Sequence, residues 1–248
     1  MILKKYKGLN VRPDQPVDKL MIKECHNSYK FFSFNEKDLV MDFGTNIGGF
    51  AAMALAQPIY KYVGFEADPE NAEVAQINIQ ENNKLNIPVE FFTGAVSTST
   101  EDTITFAQSD SGYGKCSGTA HITSRNKQQR TITYSVKNFN IDKMIYVYQP
   151  SLLKIDIEGT EYDWFALNQG VMPKCIREFA IDLHTGTGIK NFCKNYLPNI
   201  LNDFEVINTE PNVGYVSSGA TYSIPEFNLS GKGSVRALDA FLDRKSVV

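Results

Sequence analysis

The segment LLKIDIEGTE at residues 152–161 carries ionisable side chains at alternate positions of an otherwise apolar run. Alternate side chains of a β-strand point to the same face, so Lys154 and Asp156 would share one face and Glu158 would follow where the strand ends. A carboxylate at such a strand end could act as a general base. The same side chains could instead form a buried ion pair, with Gly159 as a turn. Both interpretations can hold together, because an ion pair can position a catalytic carboxylate.

A second motif, VMDFGTNIGGF at residues 40–50, has the composition of a strand-to-helix turn. Glycine allows the backbone to turn sharply and lets a ligand approach the peptide closely, which would explain Gly44 and Gly48. Asn46 stands where many such loops have a glycine, and asparagine tolerates the left-handed conformation. Taken alone, this motif is as compatible with a plain tight turn as with a ligand site.

An acidic residue at the end of the next predicted strand favours a ligand site. Glu66, in VGFEADP, follows Gly44 by 22 residues, and a carboxylate there can accept hydrogen bonds from the ribose hydroxyls of a nucleoside cofactor. Asp42 would repel the pyrophosphate of a dinucleotide, because it lies two residues before the first glycine. It is compatible with a cationic ligand that bears an amino group, such as S-adenosylmethionine (SAM). The motif therefore favours a methyltransferase over an NAD enzyme.

These motifs lie in a part of the chain where short apolar runs alternate with helical patterns. From residue 38 the predicted order is a strand in DLVMDFG, a helix in GGFAAMALAQ, a strand in YKYVGFEA, a helix in DPENAEVAQINIQENNK and a strand in PVEFFTGAVS. Asp68 is the predicted N-cap of the second helix, and Pro69 is its first residue. This alternation predicts right-handed βαβ units and a parallel sheet.

The pattern changes over residues 97–140, where Ser, Thr, Gly and Gln are frequent. Alternating side chains in DTITFAQ and RTITYSV predict antiparallel strands joined by a loop. We expect this β-rich insertion to lie beside the acceptor side of the site and to shape specificity, because loops on a rigid scaffold commonly carry recognition. The simplest organisation is a single domain of residues 1–248, with residues 1–36 as an N-terminal extension.

The α/β pattern resumes after the insertion. SLLKIDIEG is the predicted fourth parallel strand, next to the first, and it is followed by a helix from about Glu161 and a strand in IREFAIDLHTG. Farther along the chain we predict a helix in KNFCKNYLPNILNDF, a strand in EVINT and a last helix around SVRALDAFLDRK.

Three polar residues would meet at one edge of this sheet. In an open α/β sheet, ligands bind beyond the carboxyl ends of the strands, near the point where the strand order reverses. Asp156, Glu158 and His184 would lie there around the acceptor group, and Asp182 could orient the histidine, whose type suits a general base. A lone histidine after a strand is more often a solvated or satisfied residue, and this alternative stays open for His184. The carboxylates could hold a divalent cation, but their spacing matches no metal motif, and no metal is predicted.

The composition narrows the class of protein. The 248 residues have a formal net charge of −3, whereas proteins that bind nucleic acid through its phosphates are usually basic, so we expect no nucleic-acid partner. Apolar runs such as FAAMALA are far shorter than the roughly 18 residues of a membrane span, and no secretory signal is visible at the N-terminus. The four cysteines form no CxxC pair, which is typical of reduced thiols. We therefore expect a cytoplasmic enzyme without a membrane partner.

Four of the motifs together resemble one known family. DFGTNIGGF, GFEADPEN, FFTGAVS and LLKIDIEGTE are similar to the FkbM family of SAM-dependent methyltransferases, whose fourth strand typically reads K-I-D-V-E-G-A-E. The resemblance covers roughly residues 38–185, and the KIDIEG stretch is specific to the family. It implies a class I methyltransferase fold, a Rossmann-like α/β fold with a mostly parallel sheet flanked by helices, and O-methylation of a sugar, glycoconjugate or natural product. Asp182 is a departure, because the family often has a glutamate there.

The resemblance and the spacing together give a set of predicted site residues. SAM is the predicted cofactor, and a small-molecule or saccharide acceptor is the predicted substrate. The predicted catalytic residues are Lys154, Asp156, Glu158 and His184. The predicted cofactor-binding residues are Asp42, Phe43, Gly44, Thr45, Asn46, Gly48, Glu66, Ala67, Asp68, Gly94 and Ala95. Two alternatives remain: a nicotinamide-dependent oxidoreductase, which Asp42 disfavours, and a non-catalytic SAM-binding protein, which the intact KIDIEG stretch disfavours.

Overall fold

A computed structural model describes residues 1–109, 131–157, 160–184, 186–214, 221–224, 229–232 and 234–245 of the chain. The first part consists of an N-terminal hairpin and helix followed by alternating strands and helices. Its elements are β1 (Lys4–Tyr6), β2 (Leu9–Val11), α1 (Pro16–Ser28), β3 (Leu39–Phe43), α2 (Gly49–Leu55), β4 (Lys61–Glu66), α3 (Pro69–Asn82) and β5 (Val89–Thr93).

The second part contains the insertion and the carboxyl-terminal strands. Its elements are β6 (Ala95–Ser97), β7 (Thr103–Ser109), β8 (Thr131–Asn140), α4 (Ile141–Tyr148), β9 (Leu152–Ile155), α5 (Glu161–Asn168), β10 (Glu178–His184), α6 (Gly186–Asn195), α7 (Leu197–Asp203), β11 (Phe204–Gly214), β12 (Thr221–Ile224), β13 (Leu229–Lys232) and β14 (Ser234–Arg244). Within the described residues, no helix has both the length and the hydropathy needed to cross a membrane.

A central sheet positions the predicted site. Among the described residues it has seven strands, in the order β11–β14–β10–β9–β3–β4–β5. The strands from β10 to β5 run parallel to one another, whereas β14 pairs antiparallel with both β10 and β11. The strand order reverses between β3 and β9, which are direct neighbours. The predicted mostly parallel sheet is confirmed, as is the position of the fourth parallel strand beside the first.

The central strands are buried on both faces, which explains their nearly continuous apolar sequences. Val40 and Met41 are adjacent in β3, and neither has any exposed surface. Val40 belongs to an apolar cluster that includes Phe50 of α2, whereas Met41 belongs to a second cluster that includes Trp164 of α5. Helices therefore cover both faces of the sheet.

The predicted third strand is divided into two strands. β5 ends at Thr93 and β6 begins at Ala95. A Cβ atom on the intervening Gly94 would lie 2.6 Å from the carbonyl oxygen of Lys137 in β8, so a larger residue does not fit there. The chain leaves the central sheet at this glycine, and β6 pairs with β8 instead.

The insertion forms a small sheet of its own. β7 and β8 pair antiparallel, with Ile104 opposite Val136, and β6 runs parallel to β8. The predicted antiparallel insertion is confirmed. Residues 110–130, which make up nearly all of the predicted loop, lie outside the described residues.

The prediction of a last helix around SVRALDAFLDRK is wrong. These residues form β14, which lies between β10 and β11 and pairs with both. Ala, Leu and Arg favour a helix, but this intrinsic preference is weak, and hydrogen bonds to two neighbouring strands override it. The helix predicted in KNFCKNYLPNILNDF is divided into α6 and α7, with Pro198 in the first turn of α7.

The N-terminal extension packs against α3 and contains α1, a helix that was not predicted. The N–H of Asn10 donates to Oδ1 of Asn78 in α3 at 2.6 Å, and Nδ2 of Asn78 donates to the carbonyl of Ile47 at 2.7 Å. These bonds connect the extension to the turn after β3. Pro16 at the start of α1 and Asp18 in its first turn are signals that could have predicted this helix.

Candidate active site

The turn after β3 brings backbone groups to the carboxyl edge of the sheet. The N–H groups of Gly44 and Thr45 donate to the carbonyl of Phe65 in β4, at 3.0 and 2.9 Å. Gly44 has a φ of +84°, and a Cβ atom there would lie 1.8 Å from the carbonyl oxygen of Asp156. A glycine is therefore required, because the turn passes directly against the end of β9.

The conformation of the turn agrees with its sequence. Asn46 has a φ of +52°, which is the left-handed conformation expected of this residue, and its side-chain oxygen accepts the N–H of Ile47 at 2.8 Å. Gly48 has a φ of +87° and is the N-cap of α2. The motif thus leads from β3 into α2, as predicted.

Glu66 ends β4 and faces this turn. Its Oε2 accepts the N–H of Asn46 at 2.6 Å, and its Oε1 accepts the N–H of Asp68 at 2.8 Å. Each oxygen of a carboxylate can accept more than one hydrogen bond, so both oxygens can also accept from a ligand. Two neighbouring acceptors suit the two hydroxyls of a ribose, and the predicted nucleoside cofactor fits these residues.

Burial governs the charge of Glu66. The residue is 7% exposed. Burial raises the pKa of Glu66 to about 7, although the hydrogen bonds from Asp68 and Asn46 oppose this rise. Hydroxyl donors on a ligand would stabilise the ionised carboxylate. Below neutral pH, binding of such a ligand would therefore be coupled to the loss of a proton from Glu66.

Other predicted cofactor-binding residues lie near this carboxylate. Oδ1 of Asp68 accepts the N–H groups of Glu70 and Asn71, at 2.8 and 3.0 Å, and so caps α3. The N–H of Gly94 donates to the carbonyl of Glu66 at 2.7 Å, which brings the junction of β5 and β6 to the same edge. Phe43, Thr45 and Ala95 are buried, and Ala67 is half-buried. Contacts of these residues with a cofactor stay predictions.

A buried ion pair lies beneath the turn. Lys154 of β9 and Asp42 of β3 are cross-strand neighbours. Nζ of Lys154 lies 3.0 Å from Oδ1 of Asp42 and 3.6 Å from Oδ2 of Asp156, and it donates to the carbonyl of Gly44 at 2.6 Å. The hydroxyl of Tyr62 donates to the other carboxylate oxygen of Asp42. Asp42 therefore has both a cation and a hydroxyl as partners within the protein.

The charge of Lys154 follows from this environment. Burial alone lowers the pKa of Lys154, but the carboxylates of Asp42 and Asp156 raise it above its usual value. An ammonium group that stays protonated cannot accept a proton from a substrate. Lys154 thus forms a buried ion pair, as one of the two interpretations of its segment predicted. A direct catalytic role for Lys154 stays a prediction. The amino-group contact predicted for Asp42 also stays a prediction.

Asp156 is the member of this cluster that reaches the surface. Its side chain is 28% exposed, compared with 2% for Lys154 and none for Asp42. It directly follows β9, and its N–H donates to the carbonyl of Phe43 at 3.0 Å, which continues the pairing with β3. A partly exposed carboxylate beside an ammonium group can bind a polar substrate or accept its proton.

The other two predicted catalytic residues are described in part or not at all. Glu158 lies outside the described residues. β10 runs parallel to β9 and ends at His184, so the backbone of His184 lies at the same carboxyl edge as Asp156. The described part of the structure does not include the His184 side chain, and its role stays a prediction. Among the described residues, no group of three or more His, Cys, Asp or Glu side chains is arranged to hold a metal ion.

Aromatic residues from three different elements line the site, and sequence analysis did not identify them. The ring of Tyr29, just after α1, lies 5.4 Å from Nζ of Lys154. Tyr62 belongs to the ion-pair cluster, and burial together with the nearby carboxylates of Asp68 and Glu66 raises the pKa of Tyr134 in β8. These residues come from the N-terminal extension, β4 and the insertion. No local motif joins them, so the fold was needed to find them.

Comparison with known proteins identifies a family. A family model described as a methyltransferase FkbM domain matches residues 42–207, which include the turn after β3, Glu66 and the segment from Lys154 to Asp156. No curated protein sequence is significantly similar to this chain.

Several solved structures have a similar fold but share little sequence with this chain. A precorrin-6y C5,15-methyltransferase from Geobacter metallireducens is 8% identical, with a TM-score of 0.46 and coverage of 98% of this chain and 93% of that chain. The C-terminal domain of a precorrin-6Y C5,15-methyltransferase from Rhodobacter capsulatus is 9% identical, with a TM-score of 0.45 and coverage of 92% and 89%. TYW2 of M. jannaschii, solved in complex with AdoMet, is 12% identical, with a TM-score of 0.42 and coverage of 98% and 86%. At these identities the likeness concerns the fold alone.

Proposed function

The chain belongs to the FkbM methyltransferase family, and on this premise we propose that it transfers the methyl group of SAM to a hydroxyl of a sugar, a glycoconjugate or a related small natural product. The fold is the class I methyltransferase fold, with the strand order that reverses between β3 and β9. The cofactor of the family is SAM. The hydroxyl acceptor and its chemical class are the proposed part.

The proposal is based on the relative position of Glu66 and Asp156. Glu66 ends β4 and Asp156 follows β9, and these two strands flank β3 on its two sides. A cofactor bound across the turn after β3 would have Glu66 at its ribose and Asp156 toward its reactive end. This location agrees with the general rule that ligands of open α/β sheets bind at the switch in strand order.

A general base at this position suits a hydroxyl acceptor. SAM supplies a methyl group on a positively charged sulfur, and that sulfur leaves with the electron pair of the broken C–S bond. Asp156 accepts the hydroxyl proton as the acceptor oxygen forms the new C–O bond. Lys154 holds the Asp156 carboxylate in place from 3.6 Å away, and the buried Asp42 keeps Lys154 charged. Alignment of the acceptor hydroxyl with the methyl group in the crevice provides the rest of the rate acceleration.

We expect the purified protein to form a methyl ether on a hydroxylated acceptor. A panel of free sugars, nucleotide sugars and glycosides would be incubated with SAM that carries an isotopically labelled methyl group, and mass spectrometry would locate the label. For any acceptor that reacts, the analogue with hydrogen in place of the methylated hydroxyl is the matched control and should not react. Transfer to amines or to RNA, with none to hydroxyl groups, would contradict the proposal.

Replacing Glu66 by alanine is expected to weaken SAM binding roughly ten- to a hundredfold, because a charged acceptor for the ribose is lost. The parent should also lose affinity as the pH falls through about 7, since the pKa of Glu66 is raised to about 7 by burial and protonation removes the acceptor. The variant should lack this part of the pH dependence. Isothermal titration calorimetry at several pH values measures both effects.

Glu73→Ala is a matched control for this experiment, because Glu73 is an exposed carboxylate on the nearby helix α3. Its affinity for SAM should equal that of the parent at every pH. Equal affinity of the parent and Glu66→Ala would show that Glu66 does not bind the ribose.

A further inference from the structure

One residue of the turn after β3 is anchored in the N-terminal extension. Ile47 is 1% exposed, and it belongs to an apolar cluster with Leu9 and Val11 of β2, Ile22 of α1 and Val74 of α3. Three of these five residues come from the extension. Because a close-packed core leaves a side chain little freedom of position, the extension determines where this part of the turn lies.

A buried asparagine holds the backbone of the same residue. Asn78 of α3 has no exposed surface. Its Nδ2 donates to the carbonyl of Ile47 at 2.7 Å and to the carbonyl of Asn10 at 3.0 Å. Its Oδ1 accepts the N–H of Asn10 at 2.6 Å. One side-chain amide therefore joins α3, the strand β2 of the extension and the turn after β3.

The bond to Ile47 supports a part of the turn that needs support. Ile47 lies between Asn46 and Gly48, whose φ angles are +52° and +87°. The left-handed conformation costs energy for a residue other than glycine, so surrounding contacts must hold Asn46 in it. A Cβ atom at Gly48 would lie 3.3 Å from the Cβ of Asn78, which shows that α3 packs directly against the turn.

Asn46 connects this anchor to the carboxylate that is proposed to bind the ribose. It directly precedes Ile47, and its N–H donates to Oε2 of Glu66 at 2.6 Å. A shift of the Ile47 backbone would therefore move the N–H group that holds Glu66. The extension, Asn78, the turn after β3 and Glu66 thus form a continuous series of contacts.

From these contacts we infer that Asn78 is a positioning residue for SAM and that the N-terminal extension supports the cofactor site. Asn78 acts through the turn after β3, which it holds in the conformation in which Asn46 contacts Glu66. The extension precedes residues 42–207, which match the family model, so this support comes from outside the matched region. The inference rests on the proposed location of the SAM ribose at Glu66, and it does not depend on the class of acceptor.

Asn78→Ala tests this inference, because it removes the side-chain amide and leaves the carbonyl of Ile47 without that donor. We expect its dissociation constant for SAM, measured by calorimetry without any acceptor, to rise about fivefold to twentyfold. In the presence of an acceptor, the KM for SAM should rise by a similar factor. Turnover at saturating SAM should stay within about twofold of the parent, since the reacting groups are unchanged.

Asn83→Ala is the matched control. Asn83, at the carboxyl end of α3, accepts the N–H of Ile87 and donates to the carbonyl of Ile87, both at 2.8 Å. This variant also loses bonds from an asparagine amide to the backbone, but neither bond involves the turn after β3. Its unfolding temperature should fall, as that of Asn78→Ala should, whereas its affinity for SAM should equal that of the parent.

A measurement on the parent protein tests the same coupling in the other direction. Saturating SAM should slow amide hydrogen exchange at Asn10, whose N–H donates to Asn78, because coupling between two sites is reciprocal. We expect the exchange rate, measured by NMR, to fall by about the same fivefold to twentyfold. The amide of Ile87, which donates to Asn83, is the internal control and should not respond to SAM.

Unchanged SAM affinity in Asn78→Ala would overturn the inference, as would an equal loss of affinity in Asn83→Ala, which would indicate a general loss of stability. Exchange at Asn10 that does not respond to SAM would overturn it even if Asn78→Ala did not fold. A parent protein that binds no SAM would overturn the inference together with the cofactor site. Failure to methylate any hydroxyl acceptor would contradict only the proposed acceptor, because the titrations and the exchange measurement contain none.

Discussion

Replacing Asp156 by asparagine is expected to slow methyl transfer by about 10²–10⁴-fold while leaving SAM affinity close to that of the parent. Asp156 is the partly exposed carboxylate of a cluster in which Lys154 and Asp42 are buried. Asparagine has nearly the same size and keeps the backbone bond to Phe43, but it cannot take a proton from a hydroxyl. The loss should therefore appear in turnover on the true acceptor, measured at saturating SAM.

The control for this variant is Asp14→Asn, which changes an exposed aspartate in the N-terminal extension and should leave turnover unchanged. Glu158→Gln should affect acceptor binding more than turnover. A loss confined to His184→Ala would assign the base to the histidine instead. If Asp156→Asn, Glu158→Gln and His184→Ala all kept near-parental turnover, these side chains would not supply the base, and the ion-pair interpretation of the Lys154–Asp156 segment would be sufficient.

Replacing Lys154 by methionine is expected to destabilise the protein by about 3–5 kcal/mol, because it leaves the carboxylate of Asp42 buried without its cation. Asp42 has no exposed surface, and Lys154 is 2% exposed. The free energy of unfolding can be measured by denaturant titration monitored by circular dichroism. Combining Lys154→Met with Asp42→Leu should recover much of this loss, because the double replacement leaves no unpaired charge on β3.

A more exposed ion pair gives the matched control for this measurement. Lys61 of β4 pairs with Glu90 of β5, and their side chains are 22% and 42% exposed. Lys61→Met should cost no more than about 1 kcal/mol, because water screens such a pair. If Lys154→Met were as stable as the parent, the Asp42–Lys154 pair would not be an important stabilising element of the site.

The parts of the site that sequence could predict are those formed by consecutive residues. The turn after β3 needs glycine at position 44 because of a close backbone contact, and Asn46 adopts the left-handed conformation expected of its type. The strand pattern likewise placed Glu66 and Asp156 at the ends of their strands, which flank β3 on its two sides, since alternation and burial on both faces are visible in the local sequence.

The parts that sequence could not predict depend on pairing between distant segments. Alternation along β9 predicted Asp156 as the partner of Lys154, but the register of β3 against β9 brings Asp42 closer. The hydrogen bonds of Asn138 in β8 with Ser97, Ser99 and Glu101 likewise join segments that are distant along the chain. For the same reason β14 was mistaken for a helix, because its two partner strands decide its conformation.

A crystal structure of the complex with S-adenosylhomocysteine, the product form of the cofactor, would show where the ribose and the sulfur lie. We expect the ribose hydroxyls within about 2.6–3.2 Å of the Glu66 carboxylate, with the sulfur directed across the turn after β3 toward Asp156. A ligand bound away from the carboxyl edge of the sheet, or a ribose that Glu66 does not contact, would contradict this expectation.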